Sequence, residues 1–500
     1  MNRLSFDIVI VGSGAGGGTV AQELSGLCRK GARIAVLEKG PKLALEEFTG
    51  NELEMSQALY EDGGGFMTAE RTMTLAFGSA YGGSTVVYTG TSLPPPDRIL
   101  RRWNVPGISL EDLEPRVRKF MAANNVHLLE ESAINTNNRL FAEGCRRLNY
   151  DVKQFPVNVR GCRGSSLCNL GCPNQAKLGT HRVQLPDAER NGVAVITRCE
   201  VLRIGDRNLS VRVSAKAPGA KGEPSPWEPG DYEISAKLII VCGGAVNTPA
   251  LLMRSGFDRK LPRLGHGFTC HPAFIMVGEH PQPITNFVGH PKSFYLDQFA
   301  ETDRFLLETC MYFPVVTAKA MAGFGEEHSH FMKAFPRLQM ILVLACDQAM
   351  PHNRITIDSQ GRPVVHYSFT PEVVRGLCRG AVTSARIFFA AGARRVHMPI
   401  GRMTVAAEDM DALGSLADGN GFKPGKVPVS AAHLQGGCGM GRAAQDSVTD
   451  GYGRVHGVPW LYVADSSLFP NSIEINPYLT IMALADRVAE HVWENAPNLL

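Results

Sequence analysis

Across 500 residues no apolar stretch reaches the roughly 18 residues that a membrane-spanning helix needs. A helical membrane protein is thereby excluded. Charge of one sign is lacking too: 51 Lys and Arg face 48 Asp and Glu, a formal net charge of +3. The basic pairs Arg101-Arg102 and Arg394-Arg395 are too short for an electrostatic footprint, so no nucleic acid or acidic partner is expected. There is no internal repeat and no low-complexity tract. The opening residues, MNRLSFDIVIVG, run straight into a strand pattern without the charged start, apolar stretch and cleavage site of a secretion signal. The expectation is a cytoplasmic protein of a reducing compartment. There, 12 mostly scattered cysteines are free thiols or ligands sooner than disulfides.

What is present starts with one compact unit, FDIVIVGSGAGGGTVAQELSGLCRKGARIAVLEKG. Phe6 to Val11 is an apolar, β-branched run that suits a buried parallel strand. Gly12, Gly14 and Gly17, with Ser13 and Ala15 between them, make a G-x-G-x-x-G turn. The first glycine permits the turn, the second admits a pyrophosphate to the backbone, and the third lets helix and strand pack closely. A helix from about Gly17 to Arg29 aims its positive end at the phosphates. A second strand, Arg33 to Leu37, ends at Glu38 and Lys39, and Glu38 falls where an acid binds ribose hydroxyls. The motif alone leaves FAD and NAD open; its place at the start of the chain leans towards FAD.

Four further stretches follow in order. They are FGSAYGGSTVVYTGTSLPPPD from Phe77, LIIVCGGAVNTPALLMRSG from Leu238, AHLQGGCGMG, and GRVHGVPWLYVADSSLFPNSIEINPYLTIMALADRVAEHV near the end. Together with the first unit they resemble the glucose–methanol–choline (GMC) flavoprotein oxidoreductases over nearly the whole chain. The Asn476-Pro477 pair and LGHGFTCHPAF from Leu264 are most similar to the branch of cholesterol oxidase and the long-chain alcohol oxidases. The resemblance implies FAD. Gly12, Ser13, Gly14, Ala15, Gly17, Glu38 and Lys39 would surround its ADP half, with Val201 facing the adenine through its backbone. Gly83 and Ser84 would lie by the isoalloxazine, Asp465 near the ribityl and pyrophosphate, and Asn476 and Pro477 near the pyrimidine end. Tyr88 stands where the family usually has an asparagine.

Alcohol oxidation by a flavin needs a base for the hydroxyl proton and a hydride facing flavin N5. His433 opens the H-x-x-G-G block and titrates in a useful range, so it is the expected base. Asn476 matches the second active-site position and can hold the substrate oxygen through its amide. His271 is expected in a structural turn near the substrate cavity, and Glu474 in a loop or surface ion pair. A redox-neutral lyase of the same family stays open as an alternative, because fold does not decide chemistry.

The stretch CRGSSLCNLGCPNQAK sets Cys162, Cys168 and Cys172 close together. Three thiolates on one loop suit an iron–sulfur cluster of the 3Fe–4S type; zinc needs a fourth ligand, for which Cys145 and His181 lack the spacing. The stretch resembles one in the cluster-containing flavosubunits of GMC sugar dehydrogenases, which implies electrons passing to a cytochrome or quinone-linked partner. It is equally similar to a C-x-x-G-C stretch followed by lysine in long-chain alcohol oxidases, where the thiols are structural.

The expected architecture is α/β. A Rossmann-like FAD domain would be built from 1–100, 190–285 and 425–500, with a cap at 101–189. An inserted α+β substrate domain with an antiparallel sheet would take 286–424. FLLETCMYFPV, RLQMILVLAC and the hairpin ITIDSQGRPVVHY read as its strands, and PEVVRGLCRGAVTSARIFFAAG as an amphipathic helix. SAKAPGAKGEPSPWEPGDYE, from Ser214, reads as a flexible surface excursion. Met311, Tyr312, Phe313, Met340, Leu342 and Leu344 divide between core and pocket. The absence of a polar set for a sugar favours a hydrophobic or amphipathic alcohol.

Overall fold

The run from Phe6 to Val11 lies inside a longer strand. The computed structural model, which describes residues 2–321 and 323–499, extends it to Asn2–Val11 and buries its last four residues. Burial on both faces is what a parallel strand under helices requires. The strand pairs in parallel with Ile34–Leu37 on one side and Gly230–Val241 on the other. Ala194–Ile196 and Leu461–Val463 extend the parallel array outward. The first half of Gly230–Val241 also pairs antiparallel with Asn208–Val213, which continues to Cys199–Ile204. The helices Ala15–Leu24 and Tyr478–Leu499 pack on each other and share one core with Ile8, Ile10, Val36, Ile240 and Val463. The first helix starts at Ala15 and stays α only to Leu24; Ser25–Lys30 tightens to a 3-10 turn. Gly26 lies there against the ring of Trp493, so the closing helix sets the geometry that the periodicity could not.

A second sheet of nine strands completes the fold. Its order is Met403–Ala406, Arg395–Met398, Ala273–Glu279, Leu338–Ala345, Phe305–Thr309, Phe294–Leu296, Lys153–Gln154. Val429–Ala431 joins at Ala273 and pairs in parallel with Met73–Leu75. Period-two alternation divides the sheet into faces. Phe274, Met276, Phe305, Leu307, Ile341 and Val343 pack beneath the helix Pro371–Ala390. Ala273, Leu306, Cys310, Leu342 and Leu344 face the other way.

This sheet draws on more of the chain than the stretch 286–424. Ala273–Glu279, Val429–Ala431, Met73–Leu75 and Lys153–Gln154 come from segments assigned by sequence to the FAD part and the cap. Three of these four strands are only two or three residues long, too short to show a period. The hairpin forms at Arg354–Ile357 and Pro363–His366, as a separate two-stranded sheet. The excursion after Ser214 is pinned: Arg198 donates to the carbonyls of Lys221 and Glu223, and Trp227 stacks on Tyr232 at 5.2 Å. The α/β class holds.

Candidate active site

The two sheets meet at one cavity of about 1060 Å³, at the upper end of small-molecule sites, which run to roughly 1,000 Å³. One end is glycine-rich. Gly12 adopts φ +99°, and a Cβ there would stand 2.5 Å from the carbonyl oxygen of Cys242. A Cβ on Gly83 would meet the Cα of Gly14 at 2.8 Å. Both turns therefore need glycine. Gly14 caps the helix Ala15–Leu24 without a side-chain hydrogen bond, which leaves its first N–H groups for a phosphate. Gly12, Ser13, Gly14, Ala15, Glu38, Lys39, Gly83, Ser84, Val201, Asp465, Asn476 and Pro477 all line the cavity. Gly17 does not; it is buried, and a Cβ on it would lie 2.0 Å from the oxygen of Gly12, the helix–strand packing expected of the third glycine.

Two carboxylates order this end. Glu38 accepts from the backbone N–H of Ser13 at 3.0 Å, from the Ser13 hydroxyl at 2.6 Å and from the N–H of Gly40 at 2.8 Å. A carboxylate offers about four lone-pair sites, so one remains for a ribose hydroxyl. Asp465 accepts from the N–H of Gly244 at 2.8 Å, from the Thr248 hydroxyl at 2.5 Å and from the N–H of Ser467 at 2.8 Å. Burial raises the pKa of both. The cradle of bare backbone and acid fits the FAD expected from sequence.

The other end is apolar. Ala273, Cys310, Met311, Tyr312, Leu342 and Leu344 line it, whereas Met340 and Phe313 are buried in core clusters and are absent from the lining. At the junction stands His433, with Asn476 and His271. Asn476 Nδ2 lies 3.3 Å from His433 Nε2. An amide nitrogen only donates, so Nε2 accepts and the ring proton sits on Nδ1. His433 Nδ1 lies 2.9 Å from His271 Nδ1 and donates to it. His271 then carries its proton on Nε2, 3.1 Å from the Ser472 hydroxyl oxygen, which also accepts from the N–H of Glu474 at 3.2 Å. Gln435 ties the two loops together, donating to the carbonyl of His433 at 3.2 Å and accepting from the N–H of Ile473 at 2.9 Å. Burial, and then the nearby Lys292 ammonium, lowers His433 to about 3. Burial, and then His433, lowers His271 to about 3. Both rings are neutral in the physiological range.

Glu474 is no surface residue. Its side chain is 1% exposed and accepts from Arg98 at 2.7 Å, Arg102 at 2.8 Å and Arg304 at 2.9 Å. Burial works to raise its pKa, but Arg98 and Arg304 hold it below its usual range. Its φ of +60° places left-handed backbone two residues before Asn476. Tyr88, in the usual asparagine position, lines the cavity, packs on Tyr478 at 4.9 Å between ring centres and accepts from the Asn158 amide.

The expected iron–sulfur cluster is not shown. Cys162 is exposed, Cys168 buried and Cys172 half-buried. They border one void of about 10 Å³, room for about one water. Among the described residues no three of His, Cys, Asp and Glu converge as a metal set. Burial pushes the Cys168 thiol up to about 12. Cys145 belongs to the second sheet's core and His181 packs on Gly82 and Gly179; neither borders the void. The loop is instead clamped by Lys177, whose buried ammonium donates to the carbonyls of Val86, Tyr88 and Cys168 at 2.5–2.7 Å. Sequence reading noted Lys177 only as the lysine that follows the cysteine stretch and passed over Lys292; nothing in their local patterns marks a lysine for burial.

Electron transfer between a bound dinucleotide and an apolar substrate is the chemistry that this junction suits, which makes the protein an oxidoreductase. Comparison with known proteins gives the family. The models for the N- and C-terminal parts of GMC oxidoreductases match residues 56–273 and 350–485. The chain belongs to the GMC oxidoreductases, which are FAD flavoproteins. It is 31% identical to a GMC-type oxidoreductase of Mycobacterium tuberculosis, over 97% of this chain and 75% of that protein. It is 27% identical to a long-chain-alcohol oxidase of Arabidopsis thaliana, over 98% of this chain and 67% of that one. The fold is similar to that of a pyridoxine 4-oxidase, with TM-score 0.69 at 17% identity, covering 98% and 99% of the two chains. It is also similar to an Aspergillus oryzae formate oxidase studied for its FAD modification, with TM-score 0.70 at 14% identity and 100% of both chains covered.

Proposed function

We propose that this protein oxidises the CH–OH group of a hydrophobic or amphipathic alcohol to a carbonyl, and that its electrons leave for an external acceptor. The observation that carries the reading is the His433 tautomer: Nε2 is held unprotonated beside Asn476 at the rim between cradle and apolar cavity. Bound FAD supplies the hydride acceptor at flavin N5. His433 Nε2 takes the hydroxyl proton as the hydride departs. The Asn476 amide holds the substrate oxygen, and the His433 Nδ1–H bond to His271 stabilises the imidazolium that results. The FAD contacts are assigned as in the sequence reading. Gly12, Ser13, Gly14, Ala15, Glu38, Lys39, Val201 and Asp465 serve the dinucleotide, and Gly83, Ser84, Asn476 and Pro477 the flavin ring.

In this reading electrons pass from the flavin directly to a small acceptor. Dioxygen is favoured as a second form of the reading, because the similar Arabidopsis protein and both fold neighbours are described as oxidases. One experiment tests the whole. Anaerobic mixing of the purified flavoprotein with long-chain and aromatic alcohols should bleach the flavin, and iron and acid-labile sulfide should be far below one cluster per flavin. A flavin that stays yellow while substrate is cleaved would establish the lyase alternative. Stoichiometric iron and sulfide would restore the cluster.

A further inference from the structure

The apolar face of the second sheet carries an ion pair. Glu308 follows Leu306 by two residues and precedes Cys310 by two, so it shares the face of the cavity-lining residues Cys310, Leu342 and Leu344. Its cross-strand neighbour is Leu342 itself. Lys292, just before the strand Phe294–Leu296, donates to the Glu308 carboxylate. The two side chains are 9% and 2% exposed. A buried ion pair is commonly replaced by apolar residues with no loss of stability, so packing alone does not account for one on this face.

The lysine is held ready. Ser293 N–H donates to Asn138 at 3.2 Å and to the Thr309 hydroxyl at 2.9 Å, and the N–H of Lys292 meets His290 Nδ1 at 3.3 Å. The ammonium has three donors. Glu308 takes one, and among the described residues no second acceptor is within hydrogen-bond range of it. Lys292 lines the cavity with His433, and its charge is felt at that ring. A lysine on the wall of a cavity end lined by Ala273, Met311, Leu342 and Leu344 can select for a substrate oxygen.

Building on the alcohol-oxidation reading, we propose that Lys292, oriented by Glu308, is a specificity-determining residue that hydrogen-bonds a second, neutral oxygen of the substrate, a carbonyl or hydroxyl apart from the group being oxidised. Charge balance makes that oxygen neutral. The pair already sums to zero, and a carboxylate would add an uncompensated negative charge beside Glu308 in a dry site.

The test uses the FAD-loaded protein, dodecanol, a series of keto-dodecanols with the oxo group moved along the chain, and ω-hydroxydodecanoate. At least one keto-dodecanol should exceed dodecanol in kcat/KM by about tenfold or more, since a site built to hydrogen-bond a substrate group disfavours the analogue that lacks it. The ω-hydroxy acid should gain nothing. In the Lys292→Met, Glu308→Leu double variant, which removes the pair without stranding a charge, that ratio should collapse. A ratio that survives, or no preference anywhere in the series, overturns the proposal. Binding of the matching dodecanones, which carry no hydroxyl, is followed separately through the flavin absorbance. If no alcohol is oxidised yet dodecanone binding depends on Lys292, the reaction reading fails and the oxygen-recognition proposal stands. If neither depends on Lys292, the proposal fails on its own.

Discussion

A histidine becomes a base through what its second nitrogen touches. His433 offers Nε2 because its Nδ1 proton is committed to His271 at 2.9 Å, and His271 is in turn committed to Ser472. His271 is thus a positioning residue for His433. Replacing it with alanine should lower kcat for flavin reduction by about ten- to a hundredfold, at or below the low end of what a directly acting acid–base group contributes, while FAD content is kept. The pH profile separates this role from a merely structural one. The proton affinity of His433 is depressed by burial, so the wild-type rate with a bound alcohol should be flat down to about pH 5. The cavity left by His271→Ala lets water reach the ring, which moves its titration up towards the ordinary 6.5. The acid limb of the rate should then appear between pH 5 and 7. Anaerobic stopped-flow across that range checks it; an unchanged acid limb with a lower rate would mean that His271 only fills space.

At the scale of elements, the loop 471–477 is the piece that must be held. Glu474 pins it to the helix Asp97–Trp103 through Arg98 and Arg102, and to the start of the strand Phe305–Thr309 through Arg304. Glu474→Gln keeps the shape and removes the charge. It should cost about 1.5–3 kcal/mol, the range for hydrogen bonds to charged groups, because the three guanidiniums keep partial access to water. It should also slow flavin reduction by letting Asn476 drift. Urea unfolding together with single-turnover reduction reads both effects, and a stable, fully active variant would remove Glu474 from the positioning scheme. Sequence reading made this residue a peripheral ion pair because its three partners lie 170 or more positions away and no local pattern joins them. The same limit explains Lys292, the burial of Lys177 and the short strands of the second sheet. What was legible were elements whose signal is local: the glycine turn beside its buried strand, the hairpin around Ser359-Gln360-Gly361, the helix Pro371–Ala390 with its Thr370 cap, and the ordered blocks that place His433 with Asn476. The cysteine triplet was legible as a motif but not as a site, because whether thiols converge is decided by a lysine clamp and not by their spacing.

Over the whole molecule, the buried histidines couple stability to pH. His181, His271 and His433 are lowered to about 3 and His290 and His397 to about 4, each chiefly by burial, from an ordinary 6.5. His290 Nε2 is buried and, among the described residues, without a hydrogen-bond partner, a ring that charging would leave poorly solvated. In the unfolded chain all five take up a proton near pH 6.5; in the folded chain they stay neutral until about pH 4. Between those values the unfolded state binds more protons, so stability falls as pH falls. Each fully developed difference contributes about 1.4 kcal/mol per pH unit, and five together approach about 7 kcal/mol per unit, against a usual total of about 5–15 kcal/mol. Carboxylates such as Glu474, held below their ordinary range, add their loss only as pH falls through and below about 4.5, whereas Asp347, raised by burial to about 7, gains a proton in the folded state first and offsets about one histidine in the same window. The urea midpoint of the FAD-loaded protein should be level above about pH 7.5 and drop steadily from 6.5 to 5. His290→Asn should make that slope shallower by about one histidine's share. A midpoint that stays level down to pH 5 would mean that these rings are charged in the folded protein, and His433 would then lack the neutral nitrogen on which the proposed oxidation depends.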